Sequence, residues 1–222
     1  VIPKSKELKG DEVIVHWGID EVHTLRSVGI KAPSPISRRY KWTGQYTPFD
    51  HQKKTAAFLT LNKRAFCFNE QGTGKTASAI WAADYLISQG KVNRVLVICP
   101  LSIMDSAWRN DMFSFAMHRR VDVAYGSKSK RKAVIEGDAE FVVINYAGVE
   151  LVEDAIASGG FDLIIVDEAT HYKNAQTKRW KALNRLLQTD TWLWLMTGTP
   201  AAQSPTDAFG LAKLVNPLGV PR

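Results

Sequence analysis

Cysteine is nearly missing from this sequence: 222 residues carry two, Cys67 and Cys99. Each lies inside a short apolar run, which excludes a disulfide framework and a cysteine-based zinc site and leaves both as small buried hydrophobes. His16, His23, His51 and His118 have no cysteine partners at ligand spacing and read as ordinary histidines. Long uncharged stretches are missing too. Nothing approaches the roughly 18 apolar residues of a membrane span, and the opening "VIPKSKELKG" lacks the charged-then-apolar order of a signal peptide. The expected setting is intracellular, cytoplasmic or nucleoid-associated. Acidic residues are the minority, 22 against 29 Lys and Arg, for a formal charge of +7. That excess favours an anionic partner, nucleic acid ahead of an acidic protein or a lipid surface, although a basic protein with no such partner has the same balance.

With 45% hydrophobic residues the chain is able to bury a sizeable core in one or two domains. From about residue 64 it alternates β-rich runs, "AFCF", "RVLVIC", "VDVAY", "EFVVINY", "FDLIIVD" and "WLWLM", with longer amphipathic stretches. This rhythm predicts an α/β domain, a mainly parallel sheet between helices, and the nearly unbroken apolar runs predict strands covered on both faces. A helix after the first run places Ala79, Ile80, Ala83, Leu86 and Ile87 on one face and stops at Gly90. Residues 1–45 read separately, as a small N-terminal α+β segment: a strand in "EVIVHW", a helix in "IDEVHTLRSVG" and an extended "KAPSPIS" connector, ahead of a main domain over 46–222. The basic run "SKSKRK" at 127–132 reads as a solvated helix start, ahead of the alternative that it touches phosphates.

"NEQGTGKT" at 69–76 stands between the first strand and that helix. A phosphate loop works through backbone amides converging at a helix N-terminus, with Gly72 and Gly74 allowing close approach, Lys75 supplying charge and Thr76 a hydroxyl for Mg²⁺. The usual leading glycine is replaced by Asn69, which tolerates left-handed backbone well enough for the change to cost about 1 kcal/mol. A glycine-rich stretch of this kind can also be a bare turn. "FDLIIVDEAT" adds Asp167 and Glu168 at the carboxyl end of a strand, where open α/β sheets bind ligands. One carboxylate there can hold Mg²⁺ while the next orients and deprotonates water; the alternative is an acidic pair facing solvent.

These motifs, together with the segments downstream of them, resemble the Swi/Snf-related branch of the superfamily-two helicase-like ATPases, in its first RecA-like lobe, over roughly 45–217. "NEQGTGKT" is similar to that family's "DEMGLGKT", whose leading position is likewise not glycine. "VDEATHYKN" resembles "DEAHxxKN", with Lys173 and Asn174 in place, and "LMTGTPAAQSPTDAFGLAKLVNP" resembles "LTGTPxQN" and its following helix. "YTPFDHQKKTAAFL" is similar to "LRPYQxxGVxWL", "VICPLSIMDSAWRND" to "CPxSLLxNWxxE", and "VVINYAGV" to "VITTYExL". The resemblance implies a P-loop, RecA-like three-layer fold that binds ATP and Mg²⁺ through Gly72, Thr73, Gly74, Lys75 and Thr76, with Asp167 and Thr76 on the metal and Lys75, Asp167 and Glu168 in catalysis. It implies Gln52 on the adenine with Phe49 nearby. Pro100, Ser102, Asn145 and Tyr146 become nucleic-acid contacts, and Thr197, Gly198 and Thr199 couple the two sites unless they merely cap a helix. Trp108 reads as a structural anchor. Thr170 departs from the family's His, and His171, one place late, is expected to point elsewhere.

The family also needs a second RecA-like lobe carrying arginine fingers, and no second set of strands follows here, so the chain reads as part of a longer motor or as one that works with a partner chain. The start at Val1 favours the longer parent. The implied function is that of an ATP hydrolase lobe in a DNA-dependent helicase or translocase, on duplex ahead of single-stranded DNA, with RNA as the remaining alternative. Two other readings are a nucleotide-binding module without motor activity and a motor subunit of a restriction-type complex; Lys173 and Asn174 argue against the latter.

Overall fold

In the computed structural model, residues 2, 4–7, 12–199 and 207–220 are described. Six of the strands form one parallel sheet: β3 (Arg64–Cys67), β4 (Val95–Cys99), β5 (Val121–Ala124), β6 (Phe141–Asn145), β7 (Leu163–Asp167) and β8 (Trp192–Met196), in the order β3-β8-β7-β4-β6-β5. An antiparallel pair, β1 (Ser5–Glu7) and β2 (Val13–Val15), stands outside it. The helices are α1 (Ile19–Ser27), α2 (Ile36–Arg39), α3 (Asp50–Thr60), α4 (Lys75–Ser88), α5 (Asn110–Phe115), α6 (Lys128–Ile135), α7 (Tyr146–Leu151), α8 (Glu153–Ser158), α9 (Lys178–Leu186) and α10 (Asp207–Val215).

The period-two rule of a strand decides which face each apolar residue serves. Val95, Val97 and Cys99 of β4 join Leu163, Ile165, Trp192 and Trp194 in a core closed by α1, α3 and α4. Leu96, Ile98, Ile164, Val166, Leu193 and Leu195 point the other way, into a core closed by α6 to α10. Two cores on one sheet make the three layers, which explains why the strand sequences are apolar throughout. Cys67 and Cys99 are buried and free, and burial pushes both thiols up from the ordinary range.

α4 differs from the one-sided helix expected. Every residue from Ala77 to Leu86 is buried, because its second face is covered by the segment before α3. Trp42 meets Trp81 edge-on at 5.6 Å, and the Trp81 indole donates to the Thr43 carbonyl. Asp84, buried on the same helix, accepts from the Tyr40 hydroxyl and from the Arg119 guanidinium. Ile19 and Ile36 lie in the main core, and Ser34 bonds Thr60. α1, α2 and the segment that leads to α3 therefore pack on the same core as the sheet. "KAPSPIS" also runs into α2 instead of staying extended to its end. α6 starts where the basic run does, capped by Ser127, but Arg131 is buried there.

Candidate functional site

The turn into α4 passes through two left-handed glycines, Gly72 at φ 77° and Gly74 at φ 73°. A Cβ on Gly74 would lie 2.0 Å from Gln52 Nε2, so a larger residue would push that side chain aside as well as strain the left-handed backbone, whereas Gly72 faces open space and is needed for its backbone angle alone. α4 begins at Lys75, which aims its unpaired N-terminal amides and the positive end of its dipole into this turn. Lys75 is buried, and its ammonium donates to the carbonyls of Asn69 at 2.8 Å and Glu70 at 2.9 Å, folding the charge back onto the loop.

Asn69 fills the leading position for a reason other than backbone tolerance. Among the described residues, left-handed backbone outside glycine is confined to Lys4 and Glu168, so Asn69 does not use it. Its amide instead donates to Thr55 Oγ1 at 2.8 Å and ties the loop to α3. α3 braces the loop a second time through Gln52, whose Oε1 accepts from the Phe49 amide at 2.9 Å while its Nε2 reaches the Thr73 carbonyl at 3.3 Å. His51, read from sequence as ordinary, lies with Nε2 3.0 Å from the same carbonyl. The Phe49 ring is exposed and stacks on His51, outside the cleft.

Across from the loop, β7 ends in Asp167, which is buried and bonded on both oxygens: Oδ2 accepts from the Trp108 indole at 2.9 Å and Oδ1 from the Glu168 amide at 3.0 Å. Burial pushes the Asp167 carboxyl up from its usual range, and those two donors oppose the shift. Trp108 sits on a π-helical turn, Met104–Arg109, that carries its ring beneath the sheet's carboxyl end. It is the anchor expected from sequence, and it also orients the acid. Gln52, Gln71, Gly72, Gly74, Lys75, Thr76, Asp111, Phe115, Asp167 and Glu168 line one cleft of about 380 Å³.

This donor set fits Mg²⁺. Thr76 and Asp167 share the cleft with the loop, and a bonded carboxylate keeps lone pairs for a cation or its water. Among the described residues no group of three or more His, Cys, Asp or Glu is placed to hold a metal, and Mg²⁺ is bound typically by one or two carboxylates together with substrate phosphates.

The SNF2-related domain family matches residues 51–219. The chain belongs to that family. Among relatives, this SNF2-related domain is 27% identical over 226 residues to the ATP-dependent helicase YqhH of Bacillus subtilis, an alignment covering 96% of this chain and 37% of that protein. It is 25% identical to the SWI/SNF-related matrix-associated actin-dependent regulator of chromatin subfamily A-like protein 1 of Drosophila melanogaster, over 79% of this chain and 22% of that one. The Sulfolobus solfataricus SWI2/SNF2 ATPase core in complex with dsDNA has the same fold, with a TM-score of 0.71 at 24% identity over 80% of this chain and 37% of the other. The SNF2-related chain thus spans under two-fifths of the length of these proteins, and its three-layer α/β body is the RecA-like fold.

The sequence candidates outside this cleft lie at or just past the carboxyl ends of the strands of the SNF2-related domain. Cys99 and Asn145 pair across β4 and β6, so Pro100, Ser102 and Asn145 follow the carboxyl ends of neighbouring strands. Ser102 is exposed and Pro100 half-buried, while Asn145 Oδ1 accepts from Arg131 at 2.8 Å. Tyr146 departs from its expected role. Its ring is buried and its hydroxyl donates to the Asp167 carbonyl at 2.6 Å, so it has no face for a phosphate.

The Thr197 amide donates to the Cys67 carbonyl and its hydroxyl accepts from the Thr199 amide. Gly198 lies against the loop, where a Cβ would stand 3.5 Å from Gln71. Lys173 reaches Asp207 on α10, and Asn174 Oδ1 accepts from the Gln176 amide. His171 turns its ring to Tyr146 at 4.5 Å. The stretch 200–206 of the last motif lies outside the described residues.

Sequence reasoning passed over Asp111, on the first turn of α5. The signal was there, since it fills the acidic place of "CPxSLLxNWxxE". Burial, and then the Asp167 charge, push its carboxyl up to about 6. A group raised on folding favours the folded state while protonated, below the ordinary aspartate pKa, and loses that contribution as pH rises through its folded value. Asp111→Asn is therefore expected to raise the melting temperature of the unliganded protein at about pH 7.5. Screening by solvent limits the gain to about 2–4 °C, and it shrinks toward zero near about pH 4. Thermal melts of the two proteins at both pH values check it.

Proposed function

We propose that this chain is the first, ATP-binding lobe of a DNA-dependent ATPase that uses hydrolysis to move along nucleic acid, as a helicase or translocase. The observation that carries the reading is the single cleft in which the loop Gly72–Thr76 faces Asp167 and Glu168. The amides of 72–76 and Lys75 would hold the β- and γ-phosphates. Gln52 would use its remaining amide hydrogen and lone pair on the adenine. Thr76 and Asp167 would hold Mg²⁺, which when bound supplies charge neutralisation between the phosphate oxygens. Glu168 would orient the attacking water and take its proton.

A second RecA-like lobe would close the cleft and bring arginine fingers. Because such a finger is worth about 10³–10⁵ in rate, this lobe alone would bind Mg·ATP and turn it over slowly. The rim of Pro100, Ser102 and Asn145 would follow DNA phosphates, contacts largely blind to base sequence. Thr197–Thr199, whose Gly198 lies against Gln71, would carry the nucleotide state toward that rim. The duplex bound to the Sulfolobus relative supports double-stranded DNA as the track, and such a track would place the protein inside the cell. Among the described residues, no helix is long and apolar enough to cross a membrane.

The test uses a protein in which this lobe is joined to the second. ATP turnover should rise when duplex DNA is added, and DNA affinity should fall with salt at a slope of about −0.9 per neutralised phosphate. ATP affinity and turnover indifferent to DNA would mean a nucleotide-binding module instead.

A further inference from the structure

Glu168 has a left-handed backbone, φ 49° and ψ 56°, which an L residue holds only where its surroundings over-determine it. The group that does so is a phenol. The Tyr146 hydroxyl donates to the Asp167 carbonyl at 2.6 Å and stands 3.3 Å from the Glu168 carbonyl, so one oxygen bridges the peptides on both sides of the Glu168 Cα. From the other direction, Asp167 Oδ1 holds the Glu168 amide. The Tyr146 ring is itself fixed, with His171 at 4.5 Å, Tyr172 at 5.8 Å and the Arg179 guanidinium 5.2 Å above it.

Tyr146 also has a neighbour on the rim. It opens α7 directly after Asn145, whose side chain is gripped by Arg131 of α6, the helix that precedes β6. A shift of that turn by bound polyanion would therefore move the phenol one residue away, and with it the two carbonyls that set the direction of the Glu168 side chain.

We propose that Tyr146 is the positioning residue that couples the nucleic-acid rim to Glu168, its hydroxyl clamping the left-handed turn so that the carboxylate is aimed into the cleft. This rests on the ATPase reading and adds to it the route by which nucleic acid controls hydrolysis.

Tyr146→Phe in the two-lobe protein removes one oxygen and keeps the ring contacts. With duplex DNA saturating, kcat is expected to fall about tenfold or more, the size of a mis-set general base, while KM for ATP and the affinity for DNA stay within about twofold. A purely structural tyrosine would lower the melting temperature and leave the kcat of the folded protein alone. p-Aminophenylalanine at position 146, which restores a donor, is expected to recover most of the lost kcat. That variant also keeps the question open to a negative answer if the phenylalanine variant folds poorly.

An unchanged kcat in Tyr146→Phe, or a folded p-aminophenylalanine variant as slow as it, overturns the inference while the ATPase reading stands. A parent protein without DNA-stimulated turnover overturns that reading, and this inference with it.

Discussion

Glu168→Gln in the two-lobe protein is expected to lower DNA-stimulated ATP turnover by about 10²–10⁴-fold, the range that a positioned general base contributes. The substitution keeps the shape of the side chain and removes its capacity to take a proton. Asp167 keeps both of its hydrogen bonds, since the one from residue 168 comes from the backbone amide and the other from Trp108. The loop is untouched. Binding of a non-hydrolysable ATP analogue with Mg²⁺ should therefore stay within about twofold, which places the whole loss in the chemical step. Stopped-time phosphate release and equilibrium titration separate the two. A fall of less than about tenfold would give the proton to another group.

Lys75→Ala should act at the other end of the reaction, on binding. A lysine about 4 Å from a phosphate at an effective dielectric near 20 is worth roughly 4 kcal/mol gross. In the free loop, however, this ammonium already donates to the carbonyls of Asn69 and Glu70. At about 1 kcal/mol net for each bond given up, the contribution falls to roughly 2 kcal/mol, so affinity for Mg·ATP should weaken by a factor of about 30, with the gross figure setting a ceiling of about 1,000. Fluorescent-nucleotide titration of the single lobe measures it, and turnover by the two-lobe protein should be abolished with it. Unchanged affinity would mean that the lysine serves only to shape the loop.

The strands and the loop were legible because their signals are local. A six-fold recurrence of short apolar runs is a parallel sheet's own pattern, and "GTGKT" before a helix carries its backbone requirement in the letters, as Gly72 and Gly74 bear out with positive φ. What sequence hid depends on contacts between distant residues. Nothing about Asn69 reveals that its amide is bonded to Thr55, and α4 read as one-sided because the covering residues, Tyr40 and Trp42, stand more than thirty positions upstream of the residues they cover. The same holds for Tyr146. Its place in a motif suggested an exposed contact, but β6 delivers it to the end of β7, where a buried hydroxyl needs a partner and two carbonyls offer one. Trp108 was read correctly as an anchor, yet its indole N–H, the feature that matters to Asp167, becomes visible only when the π-helical turn and β7 are seen together.

A nucleotide seated on the amides of 72–76, with its phosphates between Lys75 and Asp167, is the premise of the whole mechanism. A crystal structure of this lobe grown with Mg²⁺ and a non-hydrolysable ATP analogue examines that seat directly. The expected result is a β- or γ-phosphate at the N-terminus of α4, Lys75 swung from the Asn69 and Glu70 carbonyls onto its oxygens, and the metal between Thr76 and Asp167. A folded lobe whose cleft stays empty at saturating analogue, or which holds the analogue elsewhere with Lys75 still on those carbonyls, would contradict it.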